Sequence, residues 1–213
     1  MPKPEVKPIR YFLCWFVAIY ALLIFPWPSS RDLYGTYLRS VAKLVLVKDN
    51  DRRILRFEEV PVSTRNRTLD TRITVANREQ LDASGSGHAV MLDFDSHGVG
   101  WMPTALLVAL VAATPVPWQR RMWALIWGLL AIHVFVLFSI LVYIWNHSDT
   151  ASGLSLTTLS PLWKMVISGL EETLVTQLGA SFILPTMIWI VVTFRAEDLR
   201  TFSANRQAAA RAE

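Results

Sequence analysis

Residues 101–145 read WMPTALLVALVAATPVPWQRRMWALIWGLLAIHVFVLFSILVYIW. Two runs without Asp, Glu, Lys or Arg, 101–118 and 122–145, flank the polar triplet Gln119, Arg120 and Arg121. An α-helix rises about 1.5 Å per residue, so roughly 20 residues cross the ~30 Å hydrocarbon core of a bilayer. Each run is long enough for one crossing. A link this short makes the two helices an antiparallel hairpin.

Two further apolar regions lie on either side. Residues 11–27, YFLCWFVAIYALLIFPW, carry no charge and end among Pro26 and Pro28. Lys3, Lys7 and Arg10 before them resemble the basic start of a signal peptide, but the sequence that follows, FPWPSSRD, offers no small-residue cleavage site. A signal anchor is the better reading. The last region, 161–194, is too long for one span and contains Lys164, Glu171, Glu172 and Gln177. It divides into an interfacial helix over 161–172 and a span over 173–194, kinked at Pro185, a break that neighbouring helices can accommodate.

Composition agrees with a lipid environment. Hydrophobic residues are 53% and charged residues 18% of the 213, where a soluble domain carries about 25% charged residues. A net charge of +4 from scattered basic residues argues against nucleic acid as a partner. Cys14 is the one cysteine, so no intrachain disulfide forms, and within an apolar helix it behaves as a small hydrophobe.

Between the first two spans, residues 29–100 are polar with strand and turn character. Ser29 and Ser30 are suited to cap a short amphipathic helix, in which Leu33, Tyr37, Leu38, Val41 and Leu44 recur at helical spacing. Three β-like runs follow at 53–60, 69–76 and 88–94. The second alternates, with Leu69, Thr71, Ile73 and Val75 on one face and Asp70, Arg72 and Thr74 on the other. ASGSG at 83–87 reads as a flexible connection. A small antiparallel sheet with one helix is expected, too small for a free-standing core and therefore leaning on the membrane or on a partner.

Short flanks set the orientation. Lys3, Lys7 and Arg10, then Arg120 and Arg121, then Arg195 and Arg200 all fall on one side, which the positive-inside rule makes cytoplasmic. The 29–100 loop holds eleven Lys and Arg against ten acidic residues, but loops longer than about 60 residues translocate largely regardless of charge. Trp27, Trp101, Trp145 and Trp163 fall at outer boundaries, and Trp15, Trp118 and Trp123 near inner ones, as amphipathic rings at headgroup level do.

The expected protein is mainly α, with four transmembrane helices and a small extracytoplasmic α+β domain between spans one and two. Its segments are 1–28 (cytoplasmic start and helix 1), 29–100 (the α+β domain), 101–145 (the hairpin), 146–194 (loop, interfacial helix and helix 4) and 195–213 (cytoplasmic tail). Both termini lie in the cytoplasm.

Few residues suggest chemistry. His133 lies mid-span, where an ionisable group is costly and by default a functional candidate; a neutral imidazole bonded to a neighbouring helix is the plainer alternative. Glu171 and Glu172, with Gln177 deeper in the same region, could share a proton or bind a cation, or could simply face headgroups. Asp93, Asp95 and His97 share a face if their chain is extended and could then hold a divalent cation, or else form the polar end of a strand. No zinc, EF-hand, phosphate-loop or nucleophile–base pattern is present, so no cofactor, metal or catalytic residue is assigned.

The stretch 100–138 has a Pro early in its first helix, the turn ATPVPW-x-RR and the run W-x-L-x-W-G-L-L. In these features it resembles a family of small bacterial membrane proteins found alongside exosortases, the membrane enzymes that process C-terminally tagged exported proteins. The resemblance implies an accessory role at the inner membrane, with the bilayer and another membrane or exported protein as partners. It brings no catalytic residues. Exosortases resemble transpeptidases that use Cys, Arg and His, and Cys14, near the cytoplasmic end of span one, does not fit that part. A non-enzymatic accessory or scaffold protein is the leading expectation. The alternative is a membrane enzyme or transport subunit using His133, Glu171, Glu172 and Gln177.

Overall fold

The computed structural model describes residues 7–25, 27, 30–48, 53–61, 69–80, 89–150, 160–172 and 178–194. In chain order the elements are α1 (Lys7–Ile24), α2 (Ser30–Leu46), β1 (Arg53–Glu59), β2 (Thr71–Asn77), β3 (Ala89–Phe94), a π-helical turn (His97–Trp101), α3 (Met102–Ala113), α4 (Trp118–Thr150), α5 (Pro161–Glu171) and α6 (Leu178–Thr193). They group into two compact units. The helical unit comprises Met1–Phe25, Thr104–Ile132 and Phe182–Glu213, and the α+β unit Pro26–Pro103 and His133–Ser181.

In the helical unit α3 is the buried element. Ala105, Leu106, Leu107, Ala109, Leu110 and Val111 are all buried, together with Ala124 of α4. Gly128 lets α4 approach closely, since a Cβ there would lie 3.1 Å from the Leu107 side chain. Phe12, Phe16 and Tyr20 stack along α1 with centroids 6.2 and 5.7 Å apart, and Phe12 stacks on Trp189 of α6 at 6.0 Å. The outer faces stay apolar as well: Leu13 and Val17 on α1, Ile126 and Leu130 on α4, and Ile183 and Val191 on α6 are exposed.

The sheet of the α+β unit has the order β1-β2-β3, with both pairs antiparallel. Phe57, Ile73 and Leu92 stand opposite one another across it. That face is buried with Val75 and Phe94 against Tyr34, Leu38 and Ala42 of α2 and Val136, Ile140 and Ile144 of α4. The last three recur every fourth residue, so they form one stripe on the helix. The sheet therefore leans on the C-terminal half of the chain's own longest helix.

Several local expectations shift. The expected strands form, with Thr71, Ile73 and Val75 inward, but Asp70 is buried rather than facing outward with Arg72 and Thr74. On α2 the sheet covers the Tyr34–Leu38–Ala42 stripe, which leaves Leu33, Tyr37 and Leu44 of the expected apolar face exposed. The link after α3 is residues 114–117 rather than 119–121, because Pro115 and Pro117 donate no backbone hydrogen bond and disfavour helix in the residues before them. Arg120 and Arg121 consequently sit in the first turn of α4. Past Trp145 no break occurs, and α4 continues to Thr150. The ASGSG connection, Gln177 and residues 195–213 lie outside the described residues.

Among the described helices α4 alone, over Trp118–Ser148, is long and apolar enough to cross a membrane; shorter apolar helices occupy Ile9–Ile24, His97–Ala113 and Ser181–Thr193.

Candidate functional site

The sequence-derived polar candidates fall at separate points of the α+β unit. His133, half-buried on α4, meets the Tyr37 ring of α2 edge-on, with centroids 5.6 Å apart. Glu171 ends α5, and its carboxylate, 13% exposed, accepts a hydrogen bond from Asn146 Nδ2 and lies 3.6 Å from His147 Nδ1. His147 Nδ1 also lies 3.1 Å from the Tyr143 carbonyl, one helical turn earlier. Because α4 continues past Trp145, Asn146 and His147 belong to a helix rather than to a loop. From His133 to His147 is fourteen residues of helix, about 21 Å of rise. The structure does not bring His133 and Glu171 together. Glu172 parts from its neighbour too: successive helical residues point about 100° apart, and Glu172 is exposed.

Asp93, Asp95 and His97 do not converge either. Asp93, on β3, accepts both prongs of the Arg72 guanidinium from β2, Nε to Oδ1 at 2.7 Å and Nη2 to Oδ2 at 2.9 Å. This cross-strand pair stands in the Arg72↔Asp93 register. The bidentate hydrogen bonds of Arg72, and then its charge, hold the Asp93 carboxyl below the usual carboxylate range. Asp95 Oδ1 accepts the His97 amide at 3.1 Å, which closes the chain into the π turn instead of leaving it extended. Among the described residues no group of three or more His, Cys, Asp or Glu is arranged to hold a metal ion. Arg72, Asp93, Tyr143, His147 and Glu171 instead form a continuous polar seam. The Tyr143 hydroxyl donates to the Asp93 carbonyl at 3.2 Å, and its ring packs on His147 with centroids 4.4 Å apart.

A second polar cluster leaves no signal in the sequence pattern. Asp70, 3% exposed, accepts the Ser96 amide at 2.9 Å on Oδ1 and the Ser96 hydroxyl on Oδ2. Arg39 of α2 donates to the Asp70 carbonyl at 3.3 Å and to Thr36 Oγ1 at 3.0 Å, and it lies 3.7 Å from the Glu59 carboxylate. A buried carboxylate is tolerated only when its oxygens are satisfied, and Ser96 satisfies both. The alternation around Asp70 pointed it outward. Only its position just before β2, beside β3 through the Asp70 amide to the Phe94 carbonyl at 3.2 Å, turns it inward.

At the start of α4 a third cluster ties the helical unit together. Arg121 Nη2 donates to the Thr114 carbonyl at 2.9 Å, just past the end of α3, and Arg120 Nη2 to the Thr193 carbonyl at 2.7 Å, at the end of α6. Trp189 Nε1 donates to Thr114 Oγ1 at 2.9 Å. Carbonyls at helix C-termini lack partners within the helix, and cations satisfy them well.

Fold and polar clusters together define a mainly helical protein in which one long apolar helix also forms the floor of a small antiparallel α+β unit. The family model described as exosortase H-associated membrane protein matches residues 6–196, and the chain belongs to that family. It is thus a membrane protein of an exosortase-associated family. No curated protein and no solved structure matches it.

Proposed function

We propose that the chain is a non-enzymatic accessory subunit of an exosortase-type sorting or export system in a bacterial inner membrane. In this reading it crosses the membrane four times through α1, α3, α4 and α6, with both termini in the cytoplasm. Residues 29–100, with the sheet and α2, are extracytoplasmic, and α5 lies in the outer interface. Its partner is the membrane enzyme or the exported protein that the enzyme handles.

One observation carries the reading: three carboxylates of the α+β unit, Asp70, Asp93 and Glu171, are each engaged by neighbours within that unit. Asp93 is taken by Arg72, Asp70 by Ser96, and Glu171 by Asn146 beside His147. Family membership supports the association. Supporting the crossings, the α1, α4 and α6 faces turned away from the buried centre are apolar, and α4 at about 50 Å exceeds the ~30 Å hydrocarbon core with length to spare for the sheet. Helices shorter than the core are accommodated by local thinning at modest cost. For α5, Leu162, Trp163 and Met165 are exposed beside Lys164, a composition suited to the headgroup boundary.

His133→Ala and Glu171→Gln test this directly, read as maturation of a tagged exported protein alongside the abundance of the chain. The reading expects maturation to persist in both variants at normal abundance. Loss of maturation at normal abundance would contradict it and favour a membrane enzyme or transport subunit.

A further inference from the structure

A hollow of about 480 Å³ in the helical unit runs between α1 and the end of α3. Tyr11, Phe12, Trp15 and Ile19 line it along one face of α1, Ala112 lies on its α3 side, and Arg121 stands at its edge. Tyr11 to Ile19 is eight residues of helix, about 12 Å. The small Ala112 side chain, opposite aromatic side chains, leaves a trench suited to a hydrocarbon chain. On the topology proposed above, its Tyr11 and Arg121 end lies at the cytoplasmic headgroups and its Ile19 end deeper in the hydrocarbon.

We infer that this trench binds one anionic, phosphate-headed phospholipid of the inner leaflet, its phosphate at Arg121 and Tyr11 and an acyl chain along α1 toward Ile19. The inference rests on the four-crossing reading. Charge complementarity selects the occupant. Arginine stays ionised at every physiological pH, and its planar fork matches a phosphate. Its Nη2 bonds the Thr114 carbonyl, which fixes the group at the trench, and its Nε is buried, so Nη1 is the donor left for the phosphate. Arg120, next in the chain, adds a second positive charge at the same depth. Basic pockets between helices on the cytoplasmic side are places where anionic lipid headgroups bind.

The test is native mass spectrometry of the full chain in detergent, titrated with phosphatidylglycerol or with phosphatidylcholine of the same acyl chains. A single phosphatidylglycerol adduct is expected, about fivefold or more favoured over phosphatidylcholine, since one basic residue near the membrane surface contributes roughly that factor. Arg121→Gln should erase the preference. Because Arg121 also holds Thr114, Ala112→Leu is the second variant: it fills the trench, leaves Arg121 in place, and should lose the adduct with an unchanged melting temperature. Equal retention of both lipids, a full adduct in Ala112→Leu, or displacement by inorganic phosphate alone would overturn the proposal. Extraction of the wild-type chain from membranes by alkaline carbonate would instead overturn the four-crossing reading beneath it.

Discussion

Gly100 and Tyr34 meet so closely that any side chain at Gly100 must displace the tyrosine, since a Cβ there would fall 2.5 Å from the Tyr34 hydroxyl oxygen. Overpacking of this kind costs about 1–3 kcal/mol. Gly100→Ala should therefore lower the melting temperature, and adding Tyr34→Ala should cost less than the two single effects summed, as a double-mutant cycle measures. Arg72 and Asp93 make a pH-dependent contribution. The folded-state carboxyl titrates below its unfolded value, so the pair stabilises fully above the unfolded value of about 3.9 and the contribution is lost as pH falls through the lower folded value. Acid unfolding of Asp93→Asn should accordingly show a shallower fall in stability below pH ~4 than the wild-type chain. At this scale the sequence was legible for residue type and not for pairing. Asp93 and Glu171 stood out as acidic groups, but the neighbours that occupy them, Arg72 and Asn146, are 21 and 25 residues away, and only the fold places them there.

At the scale of elements, α4 carries two tasks that its composition does not separate. Its apolar periodicity reads the same whether lipid or protein covers it, so the sequence revealed a span but not that Val136, Ile140 and Ile144 form the floor of the sheet. Ile140→Ala should cost about 2–5 kcal/mol by leaving a cavity in the core that α4 shares with the sheet, measured as denaturant unfolding of the detergent-solubilised chain. β2 was legible because its alternation marks a half-buried strand; the extent of α3 was not, because an apolar run hides where prolines stop a helix. On α2 the spacing gave one apolar face, and the structure splits it. Leu38 is buried, while Leu33 and Leu44 are 69% and 84% exposed. On the accessory reading proposed above, this exposed apolar edge of α2 faces the partner. Leu33→Ser with Leu44→Ser should leave the melting temperature close to that of the wild-type chain and reduce recovery of a membrane partner, whereas Leu38→Ala should lower stability by about 2–4 kcal/mol.

For the whole molecule, membership of an exosortase-associated membrane protein family fits a helical unit that buries α3 and turns apolar faces outward. The proposed topology makes a separate prediction. In a Cys14→Ser background, cysteine introduced at exposed Glu58 should react with a membrane-impermeant maleimide from outside intact cells, and cysteine at exposed Gln119 should react only after permeabilisation. If the chain acts through a partner, affinity isolation of the tagged chain from membranes in mild detergent, at native expression, should recover an exosortase-type membrane enzyme or its tagged exported substrate, in smaller amount from the Leu33 and Leu44 variant. Isolation of the bait alone would rule out a partner-dependent role.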